Sequence, residues 1–451
     1  MKMKVTGTGI VSPLGRSLSE IAMTILSAAP EEARHASDAP PHPPISPFEG
    51  ERTKVRGENA AGESGCPASS TGTPPFRLGP FNAEDFVSID ADRFRVLDRP
   101  MSFAFVAARD AYDAAGLNRL PPGRIGISCG IGYATTGVNA AFFSDALDLG
   151  PRMVSPLLFP LTTPSAVAGA LSIFLPAAGP TLTVSAGSAS DLSAIARAVE
   201  MIEEGDADAV VAGAAGDADE TLARALGTAG LLSNRTPLPF HPAADGTALG
   251  EGAAFVVLES IDSIRVDTPL LSSPRMRGED PSFLPSSPRA RGEDQGGGPR
   301  CRAYLTGVGE AFDRDSPIRA HTVTFAIQDA LAQSGLNPEE IDGILAGTGI
   351  RPTDTAEEEA IRRIFKDRVP VISLRGIMGE SFGSTSLMSA LIVLECGRRG
   401  FWPASLPGPR AREALVPLTA QPTPTRGRTL LVVATSANGH AAAALLENEV
   451  G

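Results

Sequence analysis

Residues Gly179–Glu200, GPTLTVSAGSASDLSAIARAVE, constrain this chain more than any other stretch. Leu182 and Val184 read as a buried strand, Ser185, Ala186, Gly187 and Ser188 as a tight turn of small residues, and the residues after Ser188 as a helix. A strand that feeds a helix through a turn without bulk puts one side chain at the helix N-terminus. Free N–H groups and a partial positive charge there suit a nucleophile or a developing oxyanion.

The rest of the chain agrees with an α/β frame. It has 451 residues, enough for one large core or two. It carries 47 Gly but only one Trp and three Tyr, a small-residue bias that closely packed layers require. A formal net charge of −13 repels phosphate backbones and argues against nucleic acid as a partner. Cys66, Cys129, Cys301 and Cys396 lie far apart with no CxxC pair, which predicts a reducing compartment and neither disulfide nor zinc. The opening MKMKVTGTGIVSPLG is a strand and turn with too short an apolar run for a signal peptide, and the chain shows no membrane-span pattern. The expected location is cytoplasmic.

Two segments lack apolar periodicity. Residues 30–75 and about 266–299 are rich in Pro, Gly, Arg and Glu, and the second repeats Ser-Pro-Arg-x-Arg-Gly-Glu-Asp at Ser273–Asp280 and Ser287–Asp294. Such composition cannot offset its ordering entropy, so both read as solvated inserts rather than partner-binding motifs. The remainder divides into an N-terminal half, 1–262, a low-complexity linker, 263–300, and a C-terminal half, 301–451. Helices are expected over Phe103–Ala115, Val323–Ser334, Ala356–Phe365 and Thr385–Arg398. Strands are expected at Val5–Val11, Arg124–Gly130, Ala209–Gly213, Ala253–Glu259, Gly343–Ala346, Val369–Ser373, Thr429–Ala434 and Ala442–Glu447.

Six segments in order carry a family resemblance: KVTGTGIVSPLG, Val154–Ile173, Gly179–Glu200, Glu203–Asp219, Pro239–Glu259 and Leu336–Gly349. Together they resemble the β-ketoacyl synthases, the condensing enzymes of fatty-acid and polyketide synthesis. The resemblance implies the thiolase fold, an α/β five-layer αβαβα stack of two duplicated halves, in a dimer. It implies acyl carrier protein as partner and its phosphopantetheine thioester as substrate carrier, with no cofactor or metal.

The family's chemistry uses one cysteine and two histidines, and here all three positions depart from it. The cysteine position falls on Ser188, the first histidine on Ala346 and the second on Glu380, five residues after Arg375, which replaces a lysine. The closing phenylalanine loop is replaced by Ser436–His440. A helix N-terminus contributes ~0.3–1 kcal/mol and at most ~2, about one pKa unit. One unit matters for a thiol but does not ionise an alcohol, which needs an adjacent base. Ordinary condensation is therefore not expected. The expectation is a non-catalytic subunit resembling a chain-length factor, in a heterodimer with an active synthase or a homodimer with itself. Ser188 would then be a helix cap, and Glu380 an ion-pair partner of Arg375. The alternative is a serine-dependent acyltransferase or hydrolase acting on carrier-bound thioesters, with Ser188, His440 and Glu380 as a triad. A decayed gene product is a third reading.

Overall fold

The computed structural model describes residues 2–27, 98–133, 135–233, 235–261, 303–314, 317–405 and 413–449. The two expected inserts at 30–75 and 266–299 lie outside the described residues. The strands are β1 (Met3–Val11), β2 (Ile125–Gly130), β3 (Thr181–Val184), β4 (Ala209–Gly216), β5 (Gly252–Ser260), β6 (Ala303–Phe312), β7 (Gly343–Leu345), β8 (Val371–Ile372), β9 (Phe401–Trp402), β10 (Thr423–Pro424), β11 (Thr429–Thr435) and β12 (His440–Asn448). The helices are α1 (Leu18–Ser27), α2 (Arg99–Ala114), α3 (Thr136–Asp148), α4 (Ala166–Phe174), α5 (Ser190–Glu203), α6 (Glu220–Thr228), α7 (Ala320–Ser334), α8 (Arg351–Phe365), α9 (Arg375–Met378) and α10 (Thr385–Arg398).

Ten strands form one sheet in the order β3-β2-β4-β5-β1-β6-β12-β11-β7-β8. The order is a duplication turned about the β1–β6 seam. β2 runs parallel to β3 and β4, β4 antiparallel to β5, and β5 antiparallel to β1. In the other half β7 runs parallel to β8 and β11, β11 antiparallel to β12, and β12 antiparallel to β6. Within the sheet the halves pair through β1 and β6, Met3–Val5 against Leu305–Ala303.

Side-chain alternation turns this sheet into layers, because successive residues of a strand face opposite sides. Val210, Ala212, Val256 and Leu258 share an inner core with Leu430, Val432, Ala444 and Leu446 from the other half. The helices of that core are α5 and α10, which contribute Leu192, Ile195, Leu387 and Leu391. Val211, Phe255 and Val257 face outward onto α2 and α4, and Leu431, Val433 and Leu445 face outward onto α7 and α8. Three cores separated by two β layers make the five-layer αβαβα stack. Strands buried on both faces read as near-continuous apolar runs, which is why β4 and β11 show no alternation in sequence.

Observed features depart from expectation at the margins. β3 was expected to be buried, but it is an edge strand with Leu182 exposed, because only β2 pairs with it. α2 begins at Arg99, not Phe103, because Asp98 caps it by accepting from the Met101 N–H at 2.9 Å. α8 begins five residues earlier than its apolar spacing suggested. There Asp354 accepts from Thr348 N at 2.7 Å and from Phe240 N at 3.0 Å, tying the helix start to two loops. No helix among the described residues is long and apolar enough to cross a membrane.

Candidate functional site

The turn read first from the sequence is a single 3-10 turn, Gly187–Ala189, leading into α5. Gly187 sits at φ +59°, and a Cβ there would lie 2.1 Å from Ser436 Oγ and 3.5 Å from Asn438 Nδ2. The short β11–β12 connection therefore presses directly on the turn. Ser188 is 4% exposed, and its hydroxyl pairs with no described residue.

Ser188 is not the cap it was expected to be. Neither the turn nor α5 has a side-chain cap at its first position, and Ser190 and Asp191 tie this region instead. Ser190 Oγ accepts from Ala186 N at 2.9 Å and donates to Gly187 O at 2.7 Å. Asp191 accepts from Leu192 N at 2.8 Å and from Leu387 N, in the first turn of α10, at 2.7 Å. One carboxyl group thus serves the N-termini of both central helices. Burial raises the Asp191 pKa to about 7, opposed by those two N–H groups and by Arg375. The positive helix end that could have favoured an oxyanion on Ser188 already holds an acidic group. Asp191 was not singled out in the sequence; an acid three residues past the turn was the available signal.

The two residues expected at the histidine positions, Ala346 and Glu380, are placed differently. Ala346 follows β7, donates its N–H to Ile372 O at 3.0 Å and packs in the outer core with Phe240 and Ile344. A methyl group there offers no proton and no hydrogen bond to a reacting carbonyl. Glu380 is fully buried and ion-paired with Arg375, and it also accepts from Phe382 N at 2.6 Å. Burial raises the Glu380 pKa, and the Arg375 charge is the largest opposing influence.

Arg375 carries the arrangement further. Its Nε donates to Gly347 O at 3.1 Å and its Nη2 to Ser386 Oγ at 3.1 Å. Gly347 N in turn donates to Glu357 at 2.7 Å, and Thr435 Oγ1 donates to the other Glu357 oxygen at 2.6 Å. Gly347 takes φ +92°, and a Cβ there would meet Phe240 and Pro239 at 2.7 Å. Burial, and next the Asp354 charge, push the Glu357 pKa to about 8. The chain Glu357–Gly347–Arg375–Glu380 links α8, the loop after β7, α9 and the loop before α10.

His440 does not complete a triad. Its ring lies against Phe312, with centroids 4.6 Å apart, and no hydrogen bond joins it to Ser188 or Glu380. Both oxygens of Glu380 are already engaged by Arg375 and Phe382, which leaves no carboxylate to orient an imidazole. Burial lowers the His440 pKa, with Glu310 pulling the other way. The residues that reach the Ser188 turn are Ser436 and Asn438. They were missed because a four-residue hairpin fixes its inward side chains only through its strand register. Cys129 and Cys396 offer no substitute thiol, since burial raises both pKa values to about 12.

Comparison with known proteins gives a consistent picture. The β-ketoacyl synthase N-terminal domain profile matches residues 2–263, and the C-terminal domain profile matches 307–408. A polyketide β-ketoacyl synthase 1 of Streptomyces virginiae is 31% identical over 332 residues, 69% of this chain and 72% of that protein. The 3-oxoacyl-[acyl-carrier-protein] synthase 2 of Staphylococcus aureus is 28% identical over 362 residues, 76% of this chain and 82% of that protein. The solved ishigamide ketosynthase/chain length factor superposes with a TM-score of 0.77 at 20% identity, covering 100% of this chain and 99% of that one. A β-ketoacyl synthase from Burkholderia phymatum STM815 superposes at 0.75 and 21% identity, covering 100% of both chains.

Proposed function

The chain belongs to the β-ketoacyl synthase family, and from that premise we propose that it serves fatty-acid or polyketide synthesis as a non-catalytic, chain-length-factor-like subunit. The observation that carries this reading is the Arg375–Glu380 pair. It fills the second histidine position with a buried, fully engaged carboxyl group. Ala346 removes the other imidazole, and Ser188 has no base within hydrogen-bond reach among the described residues. Condensation needs a thiolate to accept the acyl chain and donors to hold the enolate and oxyanion. Losing one such donor costs ~10²–10³ in rate, and here two are absent along with the thiol.

A partner surface supports the subunit reading. Phe143, Leu147, Leu149, Met153, Leu157, Phe159 and Ile173 are exposed within one span of sequence, and the sheet-edge strand β3 exposes Thr181 and Leu182. Apolar exposure on this scale beside an open strand edge marks a protein interface. The partner would be an active condensing subunit, with acyl carrier protein delivering phosphopantetheine thioesters to the pair.

The test is intact-mass analysis after incubation with acyl- and malonyl-carrier protein, using wild type and Ser188→Ala, with an intact synthase as the positive control. No adduct on either form is expected. An acyl adduct on wild type alone would make Ser188 a nucleophile and favour a serine-dependent acyltransferase or hydrolase.

A further inference from the structure

No further inference is drawn: the strongest candidate, the buried carboxyl cluster of Asp98, Asp217 and Glu251 where the start of α2, the end of β4 and the start of β5 meet, is an acidic cluster whose unpartnered oxygens on Asp98 and Asp217 are closed to any water-sized group, and nothing among the described residues points to a ligand there.

Discussion

Glu380 and Arg375 form a buried ion pair whose worth lies in being complete. Taking two charges from water is expensive, and their attraction with the surrounding hydrogen bonds roughly offsets it. Removing one partner strands the other. Glu380→Gln should therefore destabilise the protein by about 3–5 kcal/mol, read as a lower urea midpoint at unchanged slope. Arg375→Met combined with Glu380→Leu should recover most of that loss, because the two sites are coupled. Additive losses in the double variant would refute the pairing. The two identities were legible in the sequence, and so was their pairing five residues apart. The ties of Arg375 to Gly347 and Ser386 were not, because they join segments 28 and 11 residues away.

At the scale of elements, buried carboxyl groups act as ties between helices and loops. Asp191 joins α5 to α10, and Glu357 joins α8 to the β7 loop and β11. Burial raises their pKa values to about 7 and about 8, from ordinary values of 3.8 and 4.5. Between the ordinary and raised values the folded state holds more protons than the unfolded state, so stability falls as pH rises. The stabilisation is complete below the ordinary values and is lost as pH passes through 7 and then 8. Unfolding free energy should decline from pH 5 to 8.5, with each group adding a slope of at most about 1.4 kcal/mol per pH unit. Asp191→Asn keeps an acceptor for Leu387 N and should flatten the part of that decline below about pH 7, as followed by denaturant titrations across the range. An unchanged profile would mean that Asp191 does not hold a proton in the fold. Element positions were largely readable. α10 matches its expected span, and α7 stops before Gly335 as expected although it starts three residues early. α3 was missed because it buries little besides Val138; α1, α4 and α6 were missed although Ile21 and Ile25, Val167 and Leu171, and Leu222 and Leu226 carry the helical spacing of a buried face.

At the level of the whole chain, the proposed subunit role assigns the exposed apolar span Phe143–Ile173 to a second chain. Leu157 is 74% exposed, so a charge there leaves the core intact. Leu157→Glu should leave the Tm within about 1 °C of wild type, as surface changes do, while weakening association by about tenfold or more. Sedimentation velocity with the partner synthase, and with the chain alone, reads that loss and tells heterodimer from homodimer. Unaltered association would move the interface elsewhere.

The family and the layer plan were readable from the sequence, and so were the identities of Ser188, Ala346 and Glu380, on which the proposed loss of condensation rests. These are local patterns: strand–turn–helix rhythm, apolar periodicity and residue identity at fixed spacing. The assembled fold was needed to see that Ser190 closes the turn and Asp191 ties α5 to α10 while Ser188 pairs with no described residue, and that Ser436 and Asn438 rather than His440 meet the turn. Each of these depends on how two β layers far apart in the chain come to enclose one pair of helices, and no short-range pattern encodes that distance.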